Sequence, residues 1–140
     1  LAWPFPSRGI LRVPAALEPA AVRTVGGDDR WIGCSTHTLD QVRRADADPA
    51  VDVVAYGPVF VTRSKENPDP LVGLRGLRAA RAATRKPLVA IGGIDESNID
   101  LGLQTGADSA AMIGAICRGD IGANCRRLLR AAAAARGQTV

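Results

Sequence analysis

Aromatic side chains are scarce in this chain of 140 residues: two Trp, two Phe and one Tyr make up 4% of it. Its core must therefore come from Ala, Val, Ile and Leu, and an apolar fraction of 46% is enough for one packed domain and argues against disorder. Cysteines are few and odd in number; Cys34, Cys117 and Cys125 fit no CxxC pattern, and a reduced, cytoplasmic setting is the expectation. No apolar run reaches the ~18 to 20 residues that span a bilayer. The opening "LAWPFPSRG" lacks the apolar stretch of a signal peptide, and the absence of an initiator Met points to a processed or partial product. Net charge is +4, but the arginines are scattered along predicted helices, with no basic stripe interleaved with aromatics. That balance suits small anionic ligands better than nucleic acid.

What is present is a repeating order of short apolar runs and helical segments. "WIGC" (31–34), "VDVVAYG" (51–57), "PLVAIGG" (87–93) and "SAAMIGA" (109–115) are continuously apolar rather than alternating, as strands buried on both faces of a parallel sheet are. Residues 38–47 read as a helix opened by a capping box, Thr38 with Gln41. Residues 73–84 carry apolar positions at helical spacing, 96–106 end on Gly106, and 120–137 run from Asp120 to Gly137. A further helix spans 15–27, and "GILRV" (9–13) is a weak candidate for an earlier strand. Two architectures accommodate this order. One is a small doubly wound sheet; the other is about the last four βα units of a (β/α)8 barrel, whose full set takes roughly 200 to 250 residues.

In either architecture ligands bind at the C-terminal ends of the parallel strands. The residues there are Ser35, Thr36 and His37; Pro58 to Lys65; Gly92, Gly93 and Asp95; and Gly114 with Ala115. The stretch "GPVFVTRSKENPDP" (57–70) is the most telling, because a buried strand runs into two hydroxyls and two cations. A plain surface turn has no need of that set, whereas a phosphate or diphosphate cradle does: glycines admit backbone N–H groups, and hydroxyls and Lys add neutral and charged donors. No carboxylate pair suited to glycosidase chemistry sits at these ends. Cys34 lies inside a strand with no spaced partner for protease chemistry. His37, the single histidine, reads as a structural residue rather than a base, and Asp95 as a helix N-cap.

Four motifs in order, "IGCSTHT", "AYGPVFVTRSK", "LVAIGGI" and "GADSAAMIGAI", together resemble the thiamine phosphate synthase family. The resemblance runs from about Pro19 to Leu129. It implies a (β/α)8 barrel, with residues 19–137 as its C-terminal half behind an atypical lead, 1–18. It also implies a transferase of thiamine biosynthesis that uses Mg2+ and joins hydroxymethylpyrimidine diphosphate to a thiazole phosphate. Diphosphate leaves the pyrimidine methylene, and the thiazole nitrogen attacks the resulting cation. Carried over by position, Ser35 and Lys65 are the catalytic residues, beside the leaving diphosphate. Thr62 and Ser64 bind substrate with their hydroxyls, and Gly93, Ile113 and Gly114 bind the thiazole phosphate with backbone. Pro58 stands where the related thiazole tautomerases carry His, which favours the synthase.

The family's cations for the pyrimidine diphosphate and its Asn-Asp metal motif have no counterpart in this sequence. Ala16 falls at the second metal Asp, and the nearby Glu18 is not taken as a ligand, so no metal residue is assigned. The expectation is a truncated chain with weak or no activity alone. A non-enzymatic phosphate-binding half-barrel, or a regulator, is the other reading. Exposed sheet edges would favour self-association.

Overall fold

The computed structural model describes residues 10–13, of which only the backbone, together with 18–62 and 69–137. Five parallel strands form one sheet: β1 (Ile10–Val13), β2 (Trp31–Thr36), β3 (Val53–Tyr56), β4 (Leu88–Ile91) and β5 (Ser109–Ala111). They lie in chain order, β1-β2-β3-β4-β5. A doubly wound sheet reverses its strand order at a switch point. None occurs among these strands, so that alternative does not hold. "GILRV" does supply a strand, which makes the units five rather than four.

Helices α1 (Pro19–Gly26), α2 (Leu39–Ala47), α3 (Gly73–Ala83), α4 (Ile99–Gln104), α5 (Gly114–Cys117) and α6 (Ile121–Ala135) fill the connections. The local signals explain them well. Thr38 accepts from the Gln41 N–H while Gln41 reaches back to the Thr38 N–H, closing the capping box at α2. Asp120 caps α6 through the Ala123 N–H. Two segments differ from expectation. The helix predicted over 96–106 is regular only at Ile99–Gln104, because Asp95 and Ser97 organise a turn ahead of it. The strand predicted over 109–115 stops at Ala111, since Ile113 already takes helical dihedrals and Gly114 opens α5.

Strand register sorts the side chains by face. Cys34, Val54 and Leu88 are aligned, as are Tyr56 and Ala90. All five pack into one core with Val42 and Ala45 of α2, Leu77 and Ala80 of α3, Ile99 and Leu103 of α4 and Leu128 of α6. Successive helices touch, α2 on α3, α3 on α4 and α4 on α6, so they form a layer over this face. The opposite face carries the aligned row Ser35, Ala55, Val89 and Ser109. In the core, burial pushes the Cys34 thiol up, and nearby Asp48 adds to the effect over the opposing pull of Lys86. A thiol held protonated in a strand is no nucleophile.

At the N-terminal ends of the strands the chain repeats one device. Arg23 of α1 donates to Asp52 Oδ2 (2.5 Å) and to the Arg30 and Ala50 carbonyls, while Asp52 Oδ2 accepts the Ile32 N–H at 2.7 Å. Two units later Arg81 of α3 donates to Asp108 Oδ2 (2.7 Å) and to the Thr84 and Lys86 carbonyls, and Asp108 Oδ2 accepts the Leu88 N–H at 2.8 Å. Each arginine thereby ties a helix end to a strand start and to the next strand's approach. Between the two clamps, Lys86 Nζ caps the end of α2 at the Ala45 and Asp48 carbonyls.

These clamps belong to the stabilising end of the sheet. Arg81→Met is expected to lower the thermal midpoint by roughly 5–10 °C, because it removes charge-assisted bonds worth about 2 kcal/mol and strands partly buried acceptors. Arg43→Met, which breaks only the exposed pair with Asp40 on α2, is expected to move it by about 1 °C or less. Differential scanning calorimetry of the two variants distinguishes a clamp from a surface pair; equal midpoints would remove the clamp's special role.

Candidate phosphate-binding site

The C-terminal ends of β2 to β5 lie side by side, because the strands are parallel and in chain order. Main-chain pairing continues past the strands there. Gly57 N–H donates to Thr36 O at 3.3 Å, Val59 N–H to Ile91 O at 2.9 Å and Phe60 N–H to Gly92 O at 3.0 Å. The peptide between Gly57 and Pro58 is cis. Val72 N–H then donates to Pro58 O at 2.9 Å. Segment 57–72 is therefore a loop whose two feet are bonded together and whose first arm lies along the "IGG" turn.

That contact gives the glycines a role beyond the one expected of them. A Cβ at Gly57 would stand 2.0 Å from Ile91 O, one at Gly92 2.6 Å from Pro58 Cα, and one at Gly93 2.4 Å from Val61 O. Gly93 also has φ +65°, a backbone region that side chains disfavour. Both glycines of "IGGI" are thus required by the backbone of residues 58–61 passing over them. The Gly93 carbonyl accepts from Asn98 Nδ2 at 3.0 Å, and Asn98 Oδ1 accepts the Asp95 N–H at 2.9 Å. Among the described residues the Gly93 N–H has no acceptor, so this donor is held in a braced turn.

The expected site residues fall into this frame unequally. Ser35 is buried near the end of β2, aligned with Ala55. Thr62 lies on the first arm of the loop, just beyond the Phe60–Val61 stretch that covers Gly93. Ser64 and Lys65 lie outside the described residues. Ile113 and Gly114 follow β5 rather than belonging to it; Ile113 is exposed, and its carbonyl accepts the Ile116 and Cys117 N–H groups of α5. Gly114 starts that helix with open space around its Cα. Asp95 organises a turn instead of capping α4: its carboxylate accepts the Ser97 N–H (2.9 Å) and hydroxyl (2.6 Å), and Asn98 holds the cap position.

Sequence reasoning missed two residues here. Asn98 carried no signal beyond its place in a turn-rich stretch. His37 was read only as structural, and the structure shows what it joins: Nδ1 lies 2.7 Å from Gly57 O and Nε2 3.5 Å from Asp69 Oδ2.

The carboxylates at this end do not make a metal centre. Asp69 faces His37, Asp95 is bonded to Ser97, and Glu18 stands alone and exposed at the start of α1. Among the described residues no group of His, Cys, Asp and Glu could hold an ion. Among the described residues the donor set does not fit Mg2+.

A family model described as thiamine monophosphate synthase matches residues 13–116, from the end of β1 through α5. The chain belongs to the thiamine monophosphate synthase family. Its relatives in that family include the thiamine-phosphate synthase of Koribacter versatilis, 50% identical over 97 residues, which are 69% of this chain and 46% of that protein. The enzyme of the same name from Moorella thermoacetica is 39% identical over 122 residues, 86% of this chain and 58% of the other. This member of the family thus spans about half the length of such relatives. Among solved structures, thiamine phosphate pyrophosphorylase from Pyrococcus furiosus superposes with a TM-score of 0.78 at 25% identity, over 89% of this chain and 59% of that one. A 3-hexulose-6-phosphate synthase superposes at 0.64 with 21% identity, a likeness of fold alone. Among the described residues no helix is long and apolar enough to cross a membrane.

Proposed function

We propose that the chain forms the strand-end portion of a thiamine phosphate synthase site, its sheet corresponding to the last units of a (β/α)8 wall. The observation that carries this reading is the bonded loop 57–72 laid over the Gly92–Gly93 turn. It carries Thr62, the first residue of "TRSK", on one side and offers the Gly93 N–H on the other.

The reaction asks for little covalent help from protein. The bond between the pyrimidine methylene and a diphosphate oxygen breaks, the electron pair leaves with the diphosphate, and the thiazole nitrogen donates a pair to the methylene carbon. Catalysis is then mostly the holding of negative charge as it develops on the leaving oxygen. Lys65 supplies a cation for that charge, and Ser35, Thr62 and Ser64 supply hydroxyl donors. The Gly93 N–H and the backbone at Ile113 and Gly114 hold the phosphate of the attacking thiazole, fixing its nitrogen in line.

The test is an assay with hydroxymethylpyrimidine diphosphate, thiazole phosphate and Mg2+, run beside calorimetry with each phosphate. Binding of pyrophosphate and thiazole phosphate with little or no turnover is expected, because the described residues offer no metal ligands. Turnover equal to a full-length synthase would refute the loss of activity, and absence of binding would refute the site. Weak but measurable turnover separates the synthase reading from the non-enzymatic phosphate-binding one, which predicts binding and none. Self-association is part of the proposal, since among the described residues β1 and β5 are each paired on one side.

A further inference from the structure

His37 is the one histidine of the chain, and its ring joins segments distant in sequence. Its own main chain is fixed at the end of β2, where its N–H donates to Gln41 Oε1 at 2.7 Å within the start of α2. Nδ1 faces the Gly57 carbonyl at 2.7 Å. Nε2 faces the Asp69 carboxylate at 3.5 Å, with the two side chains 24% and 35% exposed. Gly57 and Asp69 are the outgoing and returning feet of the loop that carries Thr62. The adjacent bond from Val72 N–H to Pro58 O ties the same two feet.

A carbonyl oxygen and an ionised carboxylate both accept and neither donates. A neutral imidazole has one N–H and can therefore serve only one of them. The ring serves both when each nitrogen carries a proton. Among the described residues Asp69 is the charged group that pairs with the ring; the Gln41 amide is engaged by the main-chain N–H groups of His37 and Thr38.

We propose that His37 is a positioning residue for the phosphate-binding loop, acting as a strap between Gly57 and Asp69. This rests on the reading of 57–70 as an anion loop. The strap holds the two feet together before ligand arrives, so the arm that carries Thr62 is set in advance rather than at the moment of binding.

The experiment uses the full chain, wild type and the variants His37→Ala, Asp69→Ala and Asp69→Asn. Nitrogen NMR of the single imidazole reads protonation directly, amide exchange of Val59, Phe60 and Val72 reads the loop's feet, and pyrophosphate calorimetry reads binding. In the wild type Nδ1 is expected to carry a proton, since it faces the Gly57 carbonyl. Both alanine variants are expected to exchange those amides about 10-fold faster and to bind pyrophosphate about 3- to 10-fold more weakly. Asp69→Asn is the informative rescue. Its amide can donate to Nε2 of a neutral ring whose Nδ1–H still serves Gly57, so the bridge survives. Asp69→Asn is therefore expected to keep amide exchange and pyrophosphate affinity close to those of the wild type.

An Nδ1 without a proton, or alanine variants with unchanged amide exchange, would overturn the strap. So would an Asp69→Asn variant as impaired as Asp69→Ala. If pyrophosphate binds none of the proteins, the anion-loop reading fails, and the NMR and exchange measurements still decide the strap. Should His37→Ala not fold, Asp69→Ala carries the same test from the partly exposed partner.

Discussion

Alanine at Gly57 is expected to destabilise the protein by about 3 kcal/mol, at the upper end of what overpacking costs. The added Cβ would lie 2.0 Å from Ile91 O and 2.9 Å from both the carbonyl carbon and Cγ2 of Ile91. Flexible side-chain ends can swing away from such a contact, but a strand carbonyl cannot. That carbonyl also accepts the Val59 N–H, the first bond of the arm over the glycine turn. Relief of the clash must therefore push β3 and β4 apart where the site begins. Gly57 is not among the glycines with positive φ, so the cost comes from contact rather than dihedral strain. Gly114→Ala is the matched control: nothing lies within 4 Å of a Cβ there, and its φ is ordinary. Its effect should stay within about 0.5 kcal/mol. Urea unfolding of both variants checks the pair; a Gly57→Ala midpoint near wild type would mean that the arm does not lie on the strand as described.

Lys65→Ala carries the largest expected functional effect, a weakening of pyrophosphate binding by about 10- to 100-fold, the size of a charge-assisted bond to an anion. Arg63→Ala should weaken it by about 2-fold or less. The two side chains belong to the same four-residue stretch and carry the same charge, so general attraction would lose equally from either. A specific site separates them, because the family motif gives the binding role to Lys65 and none to Arg63. Calorimetry at two salt concentrations decides it: equal losses that vanish together in high salt would mean a diffuse field and no defined role for Lys65.

The loop carries its chemistry in sequence and its shape in space. "TRSK" shows hydroxyls and a lysine after a buried strand, and that combination is local enough to be noticed without coordinates. The same is true of the α2 capping box, where Thr38 and Gln41 stand at the required spacing, and of the continuous apolar runs that became β2, β3 and β4. Strand ends were harder. "SAAMIGA" is apolar throughout, yet only Ser109–Ala111 pairs, because pairing length depends on the neighbour, and β4 aligns with just those residues. "IGGI" was legible as a glycine turn at a phosphate position, but its reason was incomplete. Gly92 and Gly93 are needed because Pro58 to Val61 pass over them, a contact between segments some thirty residues apart.

By itself, then, the sequence determined the parallel α/β character of this protein, the family it belongs to and the loop that bears the proposed anion-binding side chains. Each of these rests on local pattern: apolar continuity, capping spacing and short motifs in order. Only the tertiary structure decided that the strands follow chain order without a reversal, which ruled out a doubly wound sheet. It alone paired Arg23 with Asp52, Arg81 with Asp108, and His37 with Gly57 and Asp69. Those partners lie between 20 and 32 residues apart. No periodicity links them, because a hydrogen bond between loop residues leaves no repeating trace in the chain. Their meeting is set by strand register and crossover length, which are properties of the folded sheet.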